Sequence, residues 1–315
     1  MKSEAFTFTA PDSTEIFTYR WLPDAQSDIK AVVQISHGMV EHAARYERFA
    51  NTLVEAGYAV YANDLRGHGK TAGSPDKLGY FGDDRGWEKV VEDLHALTGI
   101  IKRENPQVPV FLFGHSMGSF LARHYAMLYG NEISGLVLSG TGGDPGIGGK
   151  IALIVGKREA RKKGKKAKSP TMDNLFFGTY NKSFKPIRTK YDWLSRDAAE
   201  VDKYINDPFC GNIASAGFYC DFIEGIFFAN KFNNVKNIPK KLPIYLFSGA
   251  LDPVGAKTPW SGKTKGVLQV YKGFVKAGIK DVSYKFYPDG RHEMLNEVNR
   301  DEVTQDVISW LKKYR

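Results

Sequence analysis

Gly114-His115-Ser116-Met117-Gly118 follows the apolar run Val110 to Phe113 and precedes an amphipathic helical pattern over Met117 to Tyr129. A serine hydroxyl is a poor nucleophile until it is lifted clear of the backbone and offered to a base, and a tight strand-to-helix turn does both. Glycines two before and two after Ser116 relieve crowding there, and the helix N-terminus beyond it favours developing negative charge. Acyl transfer through Ser116 is the chemistry this turn suits.

A base must come from the seven histidines. His115 adjoins the serine and points elsewhere, and His95 and His124 fall inside helical patterns. His37, His42 and His68 follow earlier strands, out of the chain order such triads use. His292 remains, in the turn Pro288-Asp289-Gly290-Arg291-His292-Glu293-Met294 directly after the last expected strand. The carboxylate that orients it should follow the preceding strand, Leu242 to Ser248, and Asp252 in Gly249-Ala250-Leu251-Asp252-Pro253-Val254 does so. Asp289 is the alternative, although its ordinary role is turn formation before Gly290. Ser116, Asp252 and His292 are thus the expected nucleophile, orienting acid and base. Two backbone N–H groups must also meet the oxyanion; Met117, after the serine, and Met39, in the loop His37-Gly38-Met39-Val40, are expected to supply them.

The elements that must position these residues can be read from periodicity. Expected strands are Ala5 to Ala10, Glu15 to Trp21, Ala31 to Ser36, Tyr58 to Asn63, Val108 to Phe113, Gly135 to Ser139, Pro243 to Ser248 and Val282 to Tyr287. Expected helices are Tyr46 to Ala56, Gly86 to Glu104, Met117 to Tyr129, Gly266 to Ala277 and Arg300 to Tyr314. The first two strands adjoin as a hairpin does, and the later ones alternate with helices as parallel βαβ units require. The fold class is α/β with an antiparallel start. Between about Gly142 and Lys241 the alternation fails, and a structureless stretch of that length would be exceptional in a compact domain. A mostly helical insertion over 142–240 is expected to cap a core made of 1–141 and 241–315.

With 315 residues, 42% hydrophobic and 25% charged, the composition excludes collagen-like, disordered and membrane-spanning classes. No apolar run has the length of a signal peptide core or a membrane span, so a cytoplasmic protein is expected. The two cysteines, Cys210 and Cys220, suggest neither a disulfide framework nor a thiolate zinc site. His37 and His42, five apart, do not match the helical zinc pair, and Gly140 to Gly149 fits neither nucleotide-binding spacing, so no metal or cofactor is expected. The net charge of +9 is concentrated in residues 157–168, KREARKKGKKAK, where eight basic residues meet one Glu. A solvated loop is the ordinary reading of that run; attraction to anionic lipid is the functional one, and nucleic-acid binding is the least favoured.

Five motifs carry a resemblance: HGMVEHAARY (His37 to Tyr46), DLRGHG (Asp64 to Gly69), GHSMGS (Gly114 to Ser119), SGALDPV (Ser248 to Val254) and GRHEMLNE (Gly290 to Glu297). In their order and spacing the sequence resembles an α/β-hydrolase of the monoacylglycerol lipase and lysophospholipase branch, to which serine aminopeptidase-type hydrolases are also similar. The resemblance implies an eight-stranded, mostly parallel sheet, helices on both faces, and a helical cap inserted after the sixth strand. Two positions depart from the pattern. Val40 stands where these lipases usually carry Gly, which bears on the shape of the oxyanion loop, and Ser119 stands where they usually carry a third Gly.

The expected activity is hydrolysis of a small acyl ester, monoacylglycerol-like or lysophospholipid-like, through an acyl-enzyme on Ser116. An aminopeptidase, amidase or thioesterase with the same triad is the alternative, and a non-catalytic acyl-lipid or nucleic-acid binding module the second. Phe218, Phe222 and Ile226 recur at helical spacing, as do Tyr219, Ile223 and Phe227, so this helix is apolar on more than one side. Its ordinary role is packing; Phe218 and Phe222, with His37, are the expected substrate contacts.

Overall fold

The computed structural model describes residues 2–24, 29–256 and 264–315. Eight strands, β1 (Lys2–Thr9), β2 (Glu15–Leu22), β3 (Ala31–Ser36), β4 (Tyr58–Asn63), β5 (Val110–His115), β6 (Gly135–Ser139), β7 (Ile244–Gly249) and β8 (Val282–Tyr287), form one sheet in the order β1-β2-β4-β3-β5-β6-β7-β8. The helices are α1 (Glu47–Glu55), α2 (Gly69–Ala72), α3 (Gly86–Glu104), α4 (Met117–Tyr129), α5 (Gly146–Lys163), α6 (Pro170–Phe177), α7 (Ala198–Asn206), α8 (Ala216–Asn230), α9 (Phe232–Val235), α10 (Lys265–Lys276) and α11 (Arg300–Leu311).

β2 is antiparallel to both β1 and β4, while every pairing from β4 to β8 is parallel. The carboxyl ends of β3, β5, β6, β7 and β8 therefore meet along one edge, where ligands of open α/β sheets bind. The β-branched and aromatic composition of these strands suits burial on both faces. Val32, Leu112, Leu138 and Leu246 pack on the side of α3 and α4, and Val33, Phe113, Val137 and Phe247 on the side of α1 and α11. That alternation is the period of two of a strand.

Between β6 and β7 the described residues carry helices α5 to α9 and no strand of the sheet. This inserted stretch shares its core with the sheet: Phe218, Phe222, Ile223 and Ile226 of α8 belong to the same cluster as Leu94 of α3 and Leu121 of α4. The two ends of the stretch are tied to α4 by Arg123, which is buried and donates to the carbonyls of Gly142 (3.0 Å) and Ala229 (2.7 Å) and to Asn230 Oδ1 (2.8 Å). Burial without a carboxylate partner pushes its guanidinium down to about 9.

The structure differs from expectation in the basic run. Residues 157–163 continue α5, which ends at Gly164 with φ 93°. Lys, Arg and Ala are good helix formers, and Lys157 pairs with Glu224 at 2.6 Å and Lys163 with Glu159 at 2.7 Å, so five of the eight basic residues are carried on an ordered helix and Lys165, Lys166 and Lys168 follow its end. Among the described residues no helix is long and apolar enough to cross a membrane.

Because Phe218 is wholly buried, with ring centroids 4.4 Å from Phe81 and 5.7 Å from His68, Phe218→Ala should cost about 3–5 kcal/mol. Chemical denaturation reads this directly; a loss below about 1 kcal/mol would contradict a core shared between insertion and sheet.

Candidate active site

β5 runs between β3 and β6 and ends at His115, and the chain turns into α4 through Ser116, whose backbone sits at φ 51° and ψ −119°. The turn is held from both sides. Ser116 N–H donates to the Ser139 carbonyl at the end of β6 (2.9 Å), and the Ser116 carbonyl accepts the Ser119 hydroxyl (2.6 Å) and N–H (2.9 Å). A Cβ at Gly118 would lie 2.0 Å from the Ser36 carbonyl oxygen, so only glycine lets α4 start this close to β3. From Val110 to Ala122 every residue except Ser116 is buried, so the turn presents that one side chain to the cavity. Ser119, which replaces the usual third glycine, is buried and spends its hydroxyl on the turn itself.

Asp252 follows β7 and His292 follows β8. His292 Nδ1 lies 3.0 Å from both Asp252 carboxylate oxygens, which also accept the Ser248 hydroxyl (3.0 Å) and the Val254 N–H (2.9 Å). These donors leave Asp252 an acceptor on every side, so Nδ1 carries the proton and Nε2 is the free basic nitrogen. Burial alone would raise the Asp252 carboxyl and depress the His292 imidazole; their opposite charges and shared hydrogen bond outweigh it, holding Asp252 below and His292 above its ordinary value. The His292 ring lies 4.8 Å from the ring of His115, the neighbour of Ser116, and both Ser116 and His292 line one cavity. Asp289, the rival carboxylate, is exposed in a turn with φ 57°.

The loop after β3 brings Met39 to the same cavity, and a Cβ at Gly38 would stand 3.3 Å from the Ser116 Cβ. Met117 opens α4, where an N–H has no acceptor within the helix. His37 lies under this loop rather than at the cavity. Its Nε2 accepts the Leu65 N–H (3.0 Å) and its Nδ1 donates to the Gly38 carbonyl (2.8 Å), while burial pushes its pKa down to about 3. It shapes the loop and contacts no cavity space.

The sequence reading missed the cluster that clips this loop to the histidine loop. Glu41 accepts the Gly38 N–H (2.5 Å), the Tyr46 hydroxyl (2.9 Å) and Arg45 Nη1 (2.5 Å), and Arg45 grips Glu293 with two bonds of 2.8 and 2.7 Å. Arg45 holds the buried Glu293 carboxyl down at about 2 against the upward push of burial. The i, i+4 spacing of Glu41 and Arg45 was a signal; nothing in the chain marks Glu293 as their partner. The insertion adds a second clamp. Val40, at φ 52°, is strained for a β-branched residue, and its carbonyl accepts the Gly211 N–H (2.9 Å) and the Tyr204 hydroxyl (3.0 Å). Trp193, also from the insertion, accepts the His292 N–H (3.3 Å) and sets its ring 5.1 Å from the imidazole.

The cavity over Ser116 measures about 830 Å³. Its lining includes the apolar side chains of Phe120, Leu175, Phe176, Phe222, Ile223 and Ile226, and the polar ones of Thr179, Tyr180, Lys182 and Lys190. Phe222 meets the cavity as expected. Phe218 does not: four residues earlier on α8, it turns into the core against Phe81 and His68.

This arrangement, with a serine on the turn after β5 and a hydrogen-bonded aspartate–histidine pair on the loops after β7 and β8, is that of the α/β-hydrolases, and the fold is of that class. Residues 27–299 match the family described as serine aminopeptidase, S33, and the chain belongs to it. It is 29% identical over 296 residues to the monoacylglycerol lipase of Mycolicibacterium smegmatis, covering 92% of this chain and 90% of that one. The monoglyceride lipase of Homo sapiens is 29% identical over 303 residues, covering 94% and 85%. Among solved structures, a highly thermostable carboxyl esterase from Bacillus coagulans in complex with glycerol is similar at 30% identity and a TM-score of 0.90, over 100% of this chain and 99% of that one.

The electrostatics predict a histidine titration. In ¹⁵N imidazole spectra His292 should protonate above the ordinary imidazole value, whereas His37 and His68, each pushed down to about 3 by burial, stay neutral in mild acid. Asp252→Asn removes the charge that opposes burial, so the His292 midpoint should fall; an unmoved midpoint would mean that Asp252 does not govern this imidazole.

Proposed function

We propose that this chain is a serine carboxylic-ester hydrolase that cleaves monoacylglycerol-like or lysophospholipid-like esters through an acyl-enzyme on Ser116. His292 Nε2 takes the hydroxyl proton as Ser116 attacks the carbonyl, Asp252 stabilises the imidazolium, and the Met39 and Met117 N–H groups receive the oxyanion. The proton then passes to the leaving alcohol, and water activated by the same imidazole releases the acid. The observation that carries this reading is the hydrogen-bonded Asp252–His292 pair at a cavity shared with a solvent-accessible Ser116 and walled by aromatic and aliphatic side chains. The apolar part of the lining, Phe222 included, suits an acyl chain, and its hydroxyl-bearing and basic side chains suit a polar headgroup. Of the four carboxylates at this cavity, Glu41 and Glu293 are bonded to Arg45, Asp173 accepts the Tyr219 hydroxyl and Asp144 accepts the Gly146 N–H.

Residues 142–240 act in this reading as a cap that also meets the lipid surface. On α5, Ile147, Ile151 and Ile154 are 76%, 57% and 67% exposed and fall on one face, which Arg158 and Arg161 continue. An apolar stripe running into basic residues is what an anionic interface attracts.

Ser116→Ala should lower kcat on a short p-nitrophenyl ester by roughly a millionfold and abolish fluorophosphonate labelling; retained turnover would defeat the assignment. For the interface, Ile154→Ser combined with Arg158→Gln and Arg161→Gln should weaken binding to phosphatidylserine vesicles, each charge contributing about 1 kcal/mol, with turnover of the soluble ester unchanged. Undiminished vesicle binding would remove that part of the proposal.

A further inference from the structure

Away from Ser116, one cluster of side chains is assembled from both sides of the contact between the insertion and the loop after β3. His42 Nε2, a carboxylate oxygen of Asp207 and Cys210 Sγ all lie within 4.8 Å of one another. His42 Nε2 is 2.8 Å from Asp207 Oδ2. The other carboxylate oxygen, Oδ1, accepts the Phe209 N–H (2.9 Å), and the Cys210 N–H donates to the Asp207 carbonyl (3.0 Å), so the turn after α7 aims the carboxylate and orients the thiol. Cys210 is buried, and His42 and Asp207 are partly so. None of the three lines the cavity over Ser116, and ester cleavage uses none of them.

We propose that His42, Asp207 and Cys210 form a zinc site, with a water molecule as fourth ligand. The donor set selects the ion: a thiolate excludes the hard cations magnesium and calcium, and nitrogen, oxygen and sulfur donors together suit tetrahedral zinc. In such a site donor atoms stand about 3.3–3.8 Å apart, so the widest separation closes by about 1 Å and the shortest opens slightly. On binding, the Cys210 thiol releases its proton to solvent, and the proton that His42 Nε2 donates to Asp207 in the metal-free site gives way to one on Nδ1, exchanged through solvent, so that Nε2 can coordinate. Thiolate and carboxylate neutralise the dication, leaving no net charge buried. The Phe209 N–H continues to hold Asp207 from behind, the kind of outer contact that orients a ligand.

The spacing of the two cysteines could not suggest this site, because its partners come from segments 165 residues apart. It also joins segments already in contact. Tyr204 and Gly211, on either side of Asp207 and Cys210, bond the Val40 carbonyl two residues before His42. Zinc therefore fastens the insertion to the loop that carries Met39.

The test is a cobalt titration of the chelator-treated full-length protein, with zinc then added. Expected are one Co²⁺ per chain, a thiolate-to-cobalt charge-transfer band, and its loss when Zn²⁺ displaces the cobalt. Cys210→Ser should lose the band, and Asp207→Asn, whose amide oxygen still accepts the Phe209 N–H, should weaken Co²⁺ binding at least about tenfold. Thermal melts of the chelator-treated variants check that each is folded, and Asp207→Asn carries the test should Cys210→Ser not fold. No thiolate band in the wild type, a band that survives in Cys210→Ser, or unweakened binding in Asp207→Asn overturns the proposal. The readout is optical, so its failure is distinct from any failure of ester turnover.

Discussion

A serine backbone turned to φ 51° and ψ −119° relaxes unless its neighbours forbid it, because such a conformation costs of order 1–3 kcal/mol. Here the neighbours are the two strands beside β5 and the first turn of α4. The bond from Ser116 N–H to Ser139 fixes one side of the turn, and the close approach of Gly118 to the Ser36 carbonyl fixes the other. Both contacts require β3, β5 and β6 to be parallel and adjacent, which the buried core on each face of the sheet enforces. The exposed hydroxyl is thus a product of the whole central sheet.

The loops that complete the site are rigid through ionic and carbonyl contacts rather than through regular structure. Arg45 bonds two buried carboxylates, Glu41 from the loop after β3 and Glu293 adjoining His292, and its charge outweighs burial at Glu293. Removing this one guanidinium would take from both acids their only cation among the described residues, leaving Glu41 the Gly38 N–H and the Tyr46 hydroxyl and Glu293 the Asn296 amide. Val40 shows the same economy of means: its left-handed backbone, where relatives by motif carry glycine, is tolerated because two donors from the insertion hold its carbonyl. The insertion therefore holds the loop after β3 as well as lining the cavity beside it.

The strands and the residues of the His292 pair were legible because parallel α/β chains put functional groups on loops after strands, and periodicity locates strands well. Counting loops alone was enough to set Asp252 beside His292 and to bring Ser116 to the same cavity as His292. What escaped was everything that depends on which distant side chains meet. Glu293 looks like one more loop acid until folding sets it against Arg45, 248 residues away. Phe218 and Phe222 share a helical face in the sequence pattern, yet only Phe222 reaches the cavity, since a helix packed on several sides offers no periodic clue to which residue borders a void. His37 stands in the oxyanion loop's own sequence, yet both of its ring nitrogens are spent on backbone groups and it does not line the cavity. The basic run was judged by its charge, and its helix-forming residue types decided the outcome.

Arg123 has a mechanical consequence. Its three bonds fasten Gly142 at the start of the insertion and Ala229 and Asn230 at the end of α8 to the same guanidinium. Swinging the roof away as one rigid flap would strip a buried cation of all three oxygens at once, which is the costliest way to open the chamber. Its footings are bolted, so any widening of the chamber falls to the span between them.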